Sequence, residues 1–233
     1  SMNSSVTKLK ESRTETFQGM LAKVESILPA IEAAAEESEA LNRLSDTTFE
    51  LLKANGLYSM LMPKELGGAE LPHVDAMRLA ERVAWAHGSA GWCVVVNNAV
   101  GGVLSVLLPD DGAEEVFAGG ADTMVAGNGV PRGFARKVEG GYMIKGHWAY
   151  GSGIHHAKWI HSGCFLTDDD GTMLKLPNGA PRIVVTHHPR DTIVLKGNWD
   201  VLGLRATGSF DYTLKDGPEL FVPDRCCYDF AVA

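Results

Sequence analysis

The sequence predicts an α+β protein, a helical block followed by a strand-rich block. Apolar residues recur every three or four positions through the first half, whereas after about Gly119 short apolar runs alternate with Gly, Asp and Pro turns. The two patterns do not interleave, which separates this class from an alternating α/β protein. The expected division is a helical domain over residues 1–120 and a β domain over residues 121–233, with the boundary between Ala118 and Ala121.

The elements follow in chain order. Leu21, Val24, Leu28, Ile31 and Ala35 lie on one face of an amphipathic helix, with Pro29 a potential kink. Ser45 or Asp46 caps a second helix that carries Phe49, Leu51, Leu52 and Ala54 and stops at Gly56. Pro63, Gly67 and Gly68 break the pattern, and helix resumes after Pro72 through Val74 to Trp85. The run from Ser89 to Leu108 is apolar on most faces, as a buried central helix is, and Asn97 and Asn98 argue against a membrane span. Strands are expected at 124–126, 134–138, 142–148, 159–165, 182–186 and 209–214, with turns at Glu139-Gly140-Gly141 and Asp168-Asp169-Asp170-Gly171.

Composition narrows the function classes. A formal net charge of -8 over 233 residues, without a basic cluster, argues against a nucleic-acid surface, since phosphate neutralisation needs grouped cations. No uninterrupted apolar stretch long enough to span a bilayer is read, nor a signal peptide, so the expectation is a cytoplasmic protein without membrane partners. The four cysteines show no C-x-x-C spacing and are read as reduced structural thiols. His155-His156 and His187-His188 are neighbours on extended chain and point to opposite faces, so no metal site is expected. Gly127, Gly129 and Gly133 lack the strand-turn-helix context of a dinucleotide fingerprint.

Leu61-Met62-Pro63-Lys64-Glu65-Leu66-Gly67-Gly68, Gly140-Gly141-Tyr142-Met143-Ile144-Lys145-Gly146, Gly203-Leu204-Arg205 and Phe221-Val222-Pro223 together resemble the acyl-CoA dehydrogenase superfamily. The resemblance implies a helical N-terminal domain, an antiparallel β-barrel middle domain, and a C-terminal four-helix bundle that this chain does not carry. Asn128-Gly129-Val130-Pro131 and Gly146-His147-Trp148-Ala149-Tyr150-Gly151-Ser152-Gly153 depart from the thioester dehydrogenases. They look like the two-component flavin-dependent monooxygenases of the same fold, and Trp199 to Ser209 and Gly88-Ser89-Ala90-Gly91-Trp92 extend the likeness.

That branch implies the site. Ser152 takes the catalytic place beside the reactive edge of a reduced flavin, FMN or FAD, where a hydroxyl can donate or accept. Trp92, Asn128, Trp148, Tyr150, Gly153 and Arg205 join it as cofactor-binding candidates, and Trp92, Asn97 and Asn98 as substrate-binding candidates. Trp148 and Tyr150 alternate along one strand with Ser152 beyond, so a regular strand would put all three on one face. Plainer readings stand beside these: Trp148 and Trp92 as core aromatics, Asn128 and Ser152 as turn residues, Arg205 as a surface cation.

The expected activity is that of an oxygenase component that hydroxylates a small aromatic or polycyclic substrate with O2 through a C4a-hydroperoxyflavin. A separate NAD(P)H-dependent reductase would supply the reduced flavin, and the full-length assembly would be a homo-oligomer, a tetramer. The alternatives are an acyl-CoA dehydrogenase using FAD on a thioester, and an inactive fragment or scaffold that keeps the fold without flavin.

Overall fold

A computed structural model describes residues 2–197, 205–207, 210–229 and 231. Trp199 to Leu204 and Gly208-Ser209, used in the resemblance, lie outside the described residues, as do the side chains of Tyr150 and Arg205.

Among the described residues six α-helices come first: α1 Met2–Ala33, α2 Ala35–Leu41, α3 Asp46–Ala54, α4 His73–Ala86, α5 Gly88–Leu107 and α6 Asp110–Val116. Helix α1 carries Pro29 inside one continuous assignment. Ser45 caps α3 as its sequence position predicts, its hydroxyl accepting from Thr48 N at 3.2 Å. Helix α5 is, among the described residues, the one helix long and apolar enough to cross a membrane by length and composition. Here Ala90, Cys93, Val94 and Leu104 are buried in the protein. The expectation of burial on most faces is corrected, because Trp92, Val103 and Val106 lie on the exposed side.

Eight strands follow among the described residues: β1 Val125–Val138, β2 Gly141–Gly151, β3 Trp159–Thr167, β4 Ile183–Pro189, β5 Ile193–Lys196, β6 Phe210–Leu214, β7 Leu220–Pro223 and β8 Cys227–Asp229. Their order is β5-β6-β2-β1-β3-β4-β8, with β7 also paired to β2. The β1–β2 hairpin turns through Glu139-Gly140, where the sequence places it. The expectation of a purely antiparallel arrangement is corrected at one pairing, since β1 and β3 run parallel. The chain reverses after β1 and again through residues 152–158, then lands beside β1 and not beside β2. The segments expected at 124–126 and 134–138 are parts of one strand, irregular between Asn128 and Gly133. The Asp168 carboxylate holds the 168–171 turn by accepting from the amides of Asp170 and Thr172, both at 2.9 Å.

One apolar core runs through both halves, from Val24, Ile31, Leu52, Leu79 and Val94 among the helices to Ile144, Trp148, Ile160 and Tyr212 in the sheet. A second cluster seats the C-terminal half of α5, with α6, on the sheet through Leu104, Leu108, Val116, Phe117, Val125, Val185 and Tyr228. Each large apolar side chain so buried contributes about 1.5–3 kcal/mol. These clusters fix α5 against the strands and set the geometry of the junction between them.

Candidate functional site

The junction forms where α5, the turn after β2 and residues 205–207 meet. Trp92, on α5 and 47% exposed, donates its indole Nε1–H to Ser152 Oγ at 3.3 Å. Gly153 follows in the left-handed region at φ 76, which favours glycine, and its amide donates to Thr207 O at 2.7 Å. Cys93, one residue past Trp92, turns its thiol to the same carbonyl at 3.9 Å. Three segments distant in sequence thus register on one another through Ser152, Gly153 and Thr207. Arg205 opens the short 3-10 turn Arg205–Thr207 and so enters this junction by its backbone.

Asn128 lies at the irregularity of β1. Its amide donates to Tyr212 Oη at 3.2 Å, its Nδ2 to Ala149 O at 2.7 Å, and its Oδ1 accepts from Val130 N at 3.0 Å. The carboxamide ties β1 to β2 one residue before Tyr150, and its effect is to shape the loop.

Three sequence-based candidates are hydrogen-bonded within the protein. Trp148 is fully buried, stacks on Tyr212 with ring centroids 5.4 Å apart, and donates Nε1–H to Gly163 O at 2.8 Å. The register of β2 against β6 shifts between Trp148 and Gly151, which breaks the alternation that would put Trp148 on one face with Ser152. Gly133 makes its room: a Cβ there would sit 2.3 Å from Trp148 Cζ2. Asn98, 1% exposed, spends its side chain on backbone groups: Oδ1 accepts from Met60 N at 2.8 Å and Leu61 N at 3.3 Å, and Nδ2 donates to Leu57 O and Val94 O. Asn97 likewise bridges Tyr58 O and Val125 N. Between them the two amides hold the segment 57–61 and the start of β1.

Sequence reasoning missed two polar groups. The Glu39 carboxylate on α2 accepts from His87 Nε2 at 2.8 Å, Ser89 Oγ at 2.9 Å and Ala206 N at 3.3 Å. Beneath Asn128, a hydrogen-bonded chain runs from Tyr212 Oη through Ser162 Oγ to His188 and Thr192, with links of 3.0, 2.9 and 2.7 Å. No local motif announces either, since the partners are remote in sequence.

Burial pushes the Cys93 thiol up to about 12, which keeps it neutral. Burial also pushes His161 down to about 4 and His188 to about 3. Burial raises Glu39, but the hydrogen bonds from His87 and Ser89 outweigh it and hold the carboxyl below its usual range. The arrangement suits a flat, largely uncharged ring laid against Trp92, with Ser152 Oγ as a polar contact, better than acid-base chemistry by the protein itself.

Residues 15–115 match the family described as Acyl-CoA dehydrogenase, N-terminal domain. A "Pigment production hydroxylase" of Rhodococcus erythropolis is 34% identical over 206 residues, covering 88% of this chain and 50% of that protein. "Flavin-dependent monooxygenase, oxygenase subunit HsaA" of Mycobacterium tuberculosis is 31% identical over 207 residues, covering 88% of this chain and 49% of the relative. The structure of XiaF from Streptomyces sp. in complex with FADH2 and glycerol superposes with a TM-score of 0.86 at 24% identity, over 97% of this chain and 54% of that one, a likeness of fold. The chain spans about half the length of the curated relatives it matches.

Proposed function

We propose, from the match of residues 15–115 to the acyl-CoA dehydrogenase N-terminal domain and from the acyl-CoA-dehydrogenase-like fold, that the protein is the oxygenase component of a two-component flavin-dependent monooxygenase. It takes reduced FMN or FAD from a separate NAD(P)H-dependent reductase and uses O2 to hydroxylate a small aromatic or polycyclic substrate. In this reading it is a cytoplasmic enzyme that works as a homo-oligomer, a tetramer when full length. The similarity to a hydroxylase and to a monooxygenase oxygenase subunit favours this over an acyl-thioester dehydrogenase.

The observation that carries the reading is the Trp92–Ser152 pair. Its indole offers an apolar platform to a planar ring while its N–H fixes the hydroxyl at the platform's edge. The residues fit a flavin, which when bound would supply the oxygen-transfer chemistry. Trp92 shields one face from water, and Ser152 hydrogen-bonds the ring edge. Gly153 keeps the backbone close there, Asn128 shapes the neighbouring loop, and Tyr150 stands beside it on β2. Arg205 balances phosphate or ring charge.

The test is an anaerobic titration of the chain with reduced FMN and with reduced FAD, followed by rapid mixing with O2. Binding, with reoxidation kinetics distinct from free flavin, supports the reading. Failure of both flavins to bind would sink it, and reduction of bound FAD by an acyl-CoA thioester would assign the dehydrogenase instead.

A further inference from the structure

We propose that Glu39, on a helix far from the junction in sequence, is a positioning residue that sets the register between Trp92, Ser152 and the 205–207 turn. The inference rests on the oxygenase reading for its meaning in catalysis, but its geometry stands apart from it. One carboxylate accepts hydrogen bonds from the residue preceding α5, from the first turn of α5 and from Ala206. Ala206 is fully buried, and the next residue's carbonyl receives Gly153 N at 2.7 Å. Along α5 the same node leads from Ser89 to Trp92, whose N–H reaches Ser152 Oγ. Two routes therefore leave Glu39 and meet at the Ser152-Gly153 pair, one through helix α5 and one through the 3-10 turn.

A purely architectural role is the competing account, since an anion near a helix N-terminus stabilises the helix wherever it occurs. The two accounts separate because architecture alone predicts a general loss of stability, whereas positioning predicts a local change at Ser152 and Gly153. Trp148 is a built-in control: its indole N–H is bonded to Gly163 O within the sheet core, away from the node.

The experiment is proton-nitrogen NMR of this chain, with the Trp92 indole resonance assigned through Trp92→Phe, comparing wild type with Glu39→Gln and Ser89→Ala. Glu39→Gln keeps the shape and one acceptor oxygen but removes the charge that serves three donors. The expected result is a shift of the Trp92 indole and Gly153 amide signals with the Trp148 indole unmoved, and a smaller shift of the same sign in Ser89→Ala. Reduced-flavin affinity should fall about tenfold in Glu39→Gln, the equivalent of about 1.4 kcal/mol. Unmoved Trp92 and Gly153 signals, or equal movement of Trp148, would overturn the proposal. If Glu39→Gln does not fold, Ser89→Ala decides on the same resonances. If the wild-type chain binds neither reduced FMN nor reduced FAD, the functional reading fails while the resonance shifts still decide the role of Glu39.

Discussion

Trp92 Nε1 lies 3.3 Å from Ser152 Oγ although 60 positions of chain separate the two residues. The bond joins the outer side of a helix to a turn at the end of a strand, at a place where the Trp92 side chain is half open to solvent. Replacing Ser152 with Ala removes the acceptor from an exposed site. The expected result is a melting temperature close to wild type, a fall in reduced-flavin affinity of about fivefold, corresponding to about 1 kcal/mol, and in the full-length enzyme more peroxide released per product formed. Unchanged affinity and unchanged coupling would remove Ser152 from the site.

Trp148 should behave as a core residue. Trp148→Phe leaves Gly163 O without its donor and should cost about 1–3 kcal/mol in urea unfolding. Gly133→Ala drives a Cβ into the same indole and should cost a comparable amount, about 1–3 kcal/mol. Loss of flavin binding with no loss of stability would contradict this placement.

Asn98→Ala should be strongly destabilising, about 2–4 kcal/mol, because four backbone groups lose their partner inside the protein. Urea midpoints of Asn98→Ala and wild type measure it. A stable variant with altered substrate preference alone would restore Asn98 to the substrate pocket.

Stability should fall with acid before the carboxylates titrate. Burial pushes the imidazoles of His187 and His188 down to about 3, with nearby His161 adding to the drop, against an unfolded value of 6.5. The unfolded chain binds protons below pH 6.5 that the folded chain refuses until about pH 3. Their contribution is therefore complete above pH 6.5 and is lost as pH falls through that window, at a limiting slope of about 1.4 kcal/mol per pH unit for each histidine. Urea midpoints at pH 7, 6 and 5 test this, and His188→Asn should flatten the slope. A midpoint that does not move with pH would show that these imidazoles take up protons in the folded state.

The fold was largely legible because its signals are local. The Ser45 cap, the Gly140 turn and the spacing of Val24 and Ile31 each act within one turn of helix or one hairpin, so the residues themselves carry the information. Strands β5, β7 and β8 and helix α6 escaped notice because each has seven residues or fewer and shows little periodicity. Of the proposed site, Ser152 and Gly153 could be named from the sequence because one segment carries both. Trp148 misled because strict alternation fails at an irregularity that single-strand reasoning cannot see. Asn97 and Asn98 misled because a polar pair on an apolar helix looks the same whether it meets a ligand or the protein's own backbone. Glu39 could not be found at all, since His87, Ser89 and Ala206 become its neighbours only through tertiary structure.

The parallel seam between β1 and β3 sets an order of events during folding. β1 meets β2 across a two-residue turn, a closure that needs only microseconds, whereas β3 can join β1 only after the whole of β2 and the crossover have been laid down. Substitutions in the β1–β2 turn should alter the refolding rate, and those in the seam chiefly the unfolding rate, a division that stopped-flow chevrons would reveal. The seam is also where Gly127 pairs with His161 and Asn128 with Ser162. Pairing of β1 with β3 is therefore a longer closure than the hairpin and follows it, and this seam is the part of the sheet that supports the proposed flavin loop.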